Sequence, residues 1–252
     1  MSLTDIILIF FKRFLKISSL LFIILILLSS KAFAGVTYVT KVSITDQDTD
    51  PRDVQFNTDG TKMFVLGGTG DDVNVYTLST GFDLTSTVTF VDSYDLSGDL
   101  TNFATPTGLA FNSDGTKMFI AEFSTKDLIL EYTLSTGFDL FSTVNFVDSY
   151  DAGDQESQIT DVKFNSDGTK MFVVGWSGDD VNEYTLSTGF DLSSTVTFVD
   201  SYDVGDQDNQ PLGLAFNSDG TKMFVGGNDG DDINVYTLST GFDVTSTITF
   251  DG

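Results

Sequence analysis

Apolar and polar positions alternate along this chain in short runs, each stopped by a glycine- or aspartate-rich turn. The third copy of the recurring pattern is the clearest. Asp161–Asn165 places Val162 and Phe164 on one face of a short strand. Ser166-Asp167-Gly168-Thr169 follows, and Asp-Gly is a strong hairpin signal because glycine accepts a positive φ. Lys170–Gly175 is apolar and β-branched, as a buried strand should be, and Trp176-Ser177-Gly178-Asp179 predicts the next turn. Val181–Leu186 sets Val, Glu and Thr against Asn, Tyr and Leu, a third strand. A turn through Ser187–Asp191 comes next, with Phe190 pinning it to the core. Thr195–Asp203 is the fourth strand, with Val196, Phe198 and Tyr202 on one side. No stretch beyond residue 34 carries a helical period.

The unit repeats four times. Phe56, Phe111, Phe164 and Phe216 each open the block Phe-Asn-Ser/Thr-Asp-Gly-Thr-Lys-Met-Phe, at spacings of 55, 53 and 52 residues. One such unit cannot bury its apolar face alone, so it must stack on its neighbours. Four short antiparallel strands per unit predict an all-β fold, a β-propeller of four blades. The repeats run over about 44–95, 96–151, 152–203 and 204–252. Residues 36–43 resemble the last strand of a repeat, which repeat four lacks. A strand from the start of the chain is therefore expected to complete the last blade and close the ring, covering an edge that would otherwise invite aggregation. Two chains pairing into an eight-bladed ring satisfy the same arithmetic.

Residues 1–34 read as an export signal. Lys12, Arg13 and Lys16 precede the apolar run Ile17–Leu28, and Ala32-Phe33-Ala34 suits a signal peptidase. An uncleaved membrane anchor is the competing reading. Residues 35–252 then form one domain, secreted or periplasmic, with no membrane span once the signal is cleaved. The chain contains no cysteine, so burial alone must hold it. It contains no histidine, which removes Ser-His-Asp and Cys-His catalysis and the usual zinc ligand sets. Its net charge of −25 repels nucleic acid and favours cations or basic partners.

The block Asn217-Ser218-Asp219-Gly220-Thr221-Lys222-Met223-Phe224-Val225, followed by a glycine-rich turn and Val/Ile-Asn-x-Tyr, resembles the YVTN/lactonase-like bacterial β-propeller repeat. The resemblance covers all four repeats and implies an exported or soluble propeller. Members include lactonases with a bound divalent ion as well as surface and binding proteins. This chain has longer units and fewer of them, and the enzyme's catalytic residues find no motif here to land on.

Loop order decides which groups share a face. The loops between second and third strands hold Asp71-Asp72, Asp179-Asp180 and Asp231-Asp232; the links between repeats hold Asp46, Asp48, Asp50, Asp154, Glu156, Asp206 and Asp208. Both sets emerge on one side, a surface suited to Ca²⁺, which takes six to eight oxygen ligands. Solvated turn aspartates are the plainer reading. Repeats one and three enter their inner strand with Asp53 and Asp161 where the others have Gly108 and Gly213. The two aspartates are candidates to hold a cation across the axis, with turn capping as the structural alternative. Broken symmetry marks a third candidate: Phe103, Glu122, Phe123 and Lys126 in repeat two, and Trp176, the chain's single tryptophan, in repeat three. Aromatics beside mixed charge suit a carbohydrate or peptide ligand. With no catalytic constellation in view, the sequence favours a monomeric, non-enzymatic binding module for a protein, peptide or carbohydrate partner. A metal-dependent lactonase-like hydrolase and an adhesive surface protein are the alternatives.

Overall fold

A computed structural model describes residues 37–252, apart from 101–103, 125 and 231. The export signal at 1–34 lies outside the described residues. The chain divides into two units, Met1–Thr40 and Lys41–Gly252, and the strands all belong to the second.

Four separate four-stranded antiparallel sheets form the blades of a propeller. Blade 1 holds β1 (Pro51–Phe56), β2 (Lys62–Gly67), β3 (Asp72–Leu78) and β4 (Val88–Asp95). Blade 2 holds β5 (Thr105–Phe111), β6 (Lys117–Phe123), β7 (Leu128–Leu134) and β8 (Val144–Asp151). Blade 3 holds β9 (Ile159–Phe164), β10 (Lys170–Gly175), β11 (Asp180–Leu186) and β12 (Val196–Asp203). Blade 4 holds β13 (Pro211–Phe216), β14 (Lys222–Gly227), β15 (Ile233–Leu238) and the short β16 (Ile248–Phe250). Each first hairpin turns on its Asp-Gly pair. Gly168 sits at φ +72°, in the left-handed region that glycine enters at little cost. The preceding Asp167 accepts from the Thr169 hydroxyl at 2.6 Å and its backbone N–H at 3.0 Å, which hold its carboxyl below the usual range. Asp59, Asp114 and Asp219 do the same in the other blades.

Neighbouring blades stack face to face in three seams, each with its own apolar cluster. Phe64 and Leu66 meet Leu109 and Met118 between blades 1 and 2. Phe119 and Ala121 meet Val162 and Met171 between blades 2 and 3, and Phe172 and Val174 meet Leu214 and Met223 between blades 3 and 4. An inner blade is thus covered on both faces, so both parities of its middle strands are buried. Glu183, on the polar register of β11, is buried to 1% exposure and ion-paired with Lys170 at 2.6 Å.

Two sequence expectations change. Tyr202 does not share a side with Val196 and Phe198. A bulge opposite Glu183/Tyr184 inserts one residue into β12, so its inner end flips. Val196 packs toward blade 2 while Tyr202 meets Tyr236 of blade 4. Phe190 does pin its turn to the core, packing on Phe164 of its own blade and on Phe119 across the seam. The N-terminal closing strand is not seen. Residues 37–44 contain no strand, and β16 pairs only with β15. Among the described residues, blades 4 and 1 share no packing comparable to the three seams.

Candidate functional site

The inner strands β1, β5, β9 and β13 bring three ionisable groups together. Asp53 caps its own strand through the Val54 N–H at 2.6 Å and accepts the Leu109 N–H of blade 2 at 2.9 Å. Asp161 repeats this with Val162 at 2.7 Å and with Leu214 of blade 4 at 2.9 Å. Each carboxylate therefore ties its blade to the next. Gly108 lets blade 3 approach, since a Cβ there would lie 2.7 Å from the Asp161 Cα. The structure brings Asp53 and Asp161 to one cation, and that cation is the Lys163 ammonium, 2.7 Å from Asp161 and 3.2 Å from Asp53. Burial pushes the Asp161 carboxyl up to about 6; Lys163 pulls it down and Asp53 adds like charge. Burial lowers the Lys163 pKa, but the carboxylates of Asp161 and Asp53 outweigh that and raise it overall.

The acids of the link loops are engaged as well. Asp48 accepts the N–H groups of Asp50, Thr69 and Gly70 at 2.5, 3.1 and 2.8 Å. Glu156 takes those of Gln158, Ser177 and Gly178 at 2.8, 3.0 and 3.1 Å, and Asp208 those of Gln210 and Gly230 at 2.7 and 3.3 Å. Each acid staples a link to the loop after the second strand. Opposite each sits a glycine, Gly67, Gly175 or Gly227, whose Cβ would run into that carboxylate side chain. Repeat two exchanges the roles, with Glu122 at the glycine position and Phe103 where the acid stands. Among the described residues, no group of three or more acids gathers as a metal ion requires.

A pocket of about 430 Å³ opens on the same side, where the ends of all four blades meet. Arg52 and Asp50, Phe123, Gln158 and Thr160, and Trp176 line it. Trp176 and Phe123, equivalent positions in repeats three and two, are each 41% exposed. Arg52 donates to Asp50 at 2.6 Å with both side chains partly in solvent. Of the residues picked out by broken symmetry, Phe123 and Trp176 share this pocket. Glu122 is fully buried and accepts from Ser124 at 3.3 Å, Lys126 is exposed, and Phe103 lies outside the described residues. Sequence reasoning placed Asp50 only among the acids of the link loops and missed Arg52. The signal was there: Arg52 is the single arginine beyond residue 34 and as singular as Trp176.

No protein-family model matches the chain, and no curated protein matches it in sequence. Solved structures do match in fold. A Bacteroides uniformis protein named a "putative 6-phosphogluconolactonase" has a TM-score of 0.54 at 13% identity, covering 81% of this chain and 57% of its own. A Bacteroides fragilis protein of the same name has a TM-score of 0.53 at 14% identity, covering 85% of this chain and 58% of its own. A Desulfotomaculum acetoxidans protein of unknown function reaches 0.50 at 12% identity, covering 80% of this chain and 55% of its own. The chain spans rather more than half the length of these structures. The likeness shows a shared propeller fold. It also removes the ground for reading the chain as a non-enzymatic binding module, because proteins that share this fold carry lactonase names. Among the described residues no helix is long and apolar enough to cross a membrane.

Proposed function

We propose that this chain is a lactonase-like hydrolase of the YVTN/lactonase-like propeller group, exported to the periplasm or beyond, acting on a sugar lactone in the pocket at the blade ends. The observation that carries the proposal is the Arg52–Asp50 pair facing the same 430 Å³ space as two half-exposed aromatic rings. Aromatic faces suit the apolar side of a sugar ring, and the volume suits one monosaccharide-sized ligand.

Ring opening needs a base for water and a positive group for the oxygen that gains charge. Asp50 takes a proton from the attacking water, whose oxygen bonds to the acyl carbon. The Arg52 guanidinium lies beside the carbonyl oxygen as it becomes an oxyanion. The ring C–O bond then breaks, the ring oxygen takes the proton back from Asp50, and the open-chain hydroxy acid gives up its carboxyl proton to solvent and leaves as the carboxylate. A chain of net charge −25 repels that anionic product, which favours release. Every step is assigned to side chains.

The test is hydrolysis of a six-membered aldonolactone followed by acid release at constant pH. Arg52→Ala and Asp50→Asn should each lower kcat/KM by on the order of 100-fold or more. Trp176 emission gives an independent readout of binding, since the chain has no other tryptophan. A rate no greater than the spontaneous one, in a protein whose Trp176 emission ignores the lactone, would sink the proposal.

A further inference from the structure

We propose that two copies of this chain associate head to tail, blade 4 of each on blade 1 of the other, closing a ring of eight blades. The three internal seams define what such a contact needs. In each, a fully buried phenylalanine of a second strand packs on the marker phenylalanine of the following blade: Phe64 on Phe111, Phe119 on Phe164 and Phe172 on Phe216, at 4.4 to 4.8 Å between ring centres. The lysine two residues earlier reaches across the same seam. Lys62 donates to the Phe138 carbonyl at 2.8 Å, Lys117 to that of Phe190 at 2.5 Å and Lys170 to that of Phe242 at 2.6 Å.

Both halves of this arrangement recur at the two free edges. Blade 4 carries Lys222 and Phe224, while blade 1 carries Phe56 stacked on Phe82 at 5.5 Å. Within one chain they do not meet. Lys222 pairs instead with Asp251, and Phe224 is only half-buried. Ile233 is 66% exposed where its equivalents Val73, Ile129 and Val181 are buried. On blade 1, Val54 is 48% and Phe82 64% exposed, while Leu109, Val162 and Leu214, the equivalents of Val54, are buried. A groove of about 400 Å³ runs along that flank, lined by Val54, Met63, Val65, Leu84 and Ile44. Ile44 belongs to the docking surface: its equivalents Ala152 and Val204 lie inside the second and third seams. A Cβ added at Gly108, in a closed seam, would lie 2.7 Å from the Asp161 α-carbon of blade 3, whereas one added at Gly213 on blade 4 would meet nothing within 4 Å.

The occupant follows from this complementarity. A blade-4-type flank is covered, three times within the chain, by a blade-1-type flank, and a second copy supplies one at each end. The contact is heterologous, so it must close or polymerise. Two copies make eight blades, within the range of about 4–8 that propellers adopt; three would make twelve. The apolar flank must overcome repulsion between two chains of net charge −25, so association should tighten as salt rises.

Sedimentation equilibrium of the full-length chain tests this. The expected mass is twice the 27.4 kDa of one chain. Val54→Lys and Ile233→Asp alter residues that are exposed in the single chain, so each should keep the fold yet weaken association on the order of 100-fold. Mixing the two variants should restore pairing, because the mixed pair has one untouched seam and one with opposite charges. A one-chain mass at every concentration would mean that residues 1–36 or another protein covers the flanks, and would overturn the proposal. So would open-ended polymers, or a dimer indifferent to both substitutions.

Discussion

The seam between blades 2 and 3 and the outer flank of blade 4 are written in nearly the same residues, yet one is closed and the other open. Phe119 and Phe224 occupy the same position in the same block, preceded by the same lysine and methionine. Phe119 is fully buried against Phe164 and Phe190; Phe224 is half-buried and meets no marker phenylalanine of a following blade. In a repeat array, burial belongs to the neighbour and not to the residue. The apolar pattern of a repeat states what it needs, while its place in the array decides whether the need is met.

The sharpest way to break the comparison is to truncate both rings. Phe119→Ala should cost about 3–5 kcal/mol in urea unfolding, the usual price of a large aromatic lost from a packed core. Phe224→Ala should cost about 1 kcal/mol or less in the Ile233→Asp background, where the chain is held single. In the unmodified background its cost should rise with protein concentration, because pairing couples to folding, whereas the cost of Phe119→Ala should not move. Equal costs under all conditions would mean that the two flanks are equally covered.

Glycine offers a smaller version of the same contrast. A Cβ at Gly108 would lie 2.7 Å from the Asp161 backbone, and Gly213 has open space. Gly108→Ala should destabilise by about 1–3 kcal/mol, as overpacking does. Gly213→Ala, measured in the single chain, should be neutral or stabilising by up to about 1 kcal/mol through the unfolded state. Denaturation midpoints that shift alike would remove the distinction between a closed and an open edge.

How much of this was legible follows from which forces are local. The Asp-Gly hairpins and the apolar second strands could be read directly, because turn chemistry and hydrophobic runs are encoded within a few residues. Lys170–Gly175 falls where the pattern placed it. What depended on a neighbouring blade was hidden. Glu183 alternates as a solvent-facing residue should, yet it is buried because the next blade covers it and Val244 donates to it at 2.8 Å. The flip of Tyr202 needed a bulge that no single residue announces. At the pocket, the aromatics Phe123 and Trp176 stood out as departures from the repeat, while Arg52 stood out only by being the single arginine of the domain. The exchange of Gly and acid for Glu122 and Phe103 was visible as two unrelated oddities. The staples formed by Asp48 and Glu156 show that the two positions work as one in repeats one and three.

The smallest effect concerns the inner edge, where the first and third seams are tied by an aspartate and the second by none. Burial raises the Asp161 carboxyl to about 6, above its ordinary value in the unfolded chain. A carboxyl shifted upward binds its proton more tightly when folded, so its contribution is full below pH 4 or so and is lost as pH rises through about 6. The native chain should therefore lose stability relative to Asp161→Asn across that interval, while the turn aspartates, shifted downward through their threonine partners, act at lower pH and equally in both proteins. Asparagine can still accept the Leu214 N–H, so the tie between blades 3 and 4 survives the substitution. Melting curves of the two proteins from pH 4 to 7 should converge or cross as pH rises. A difference that stays constant would mean that Lys163 holds Asp161 ionised throughout, and that the seam is tied by a permanent ion pair.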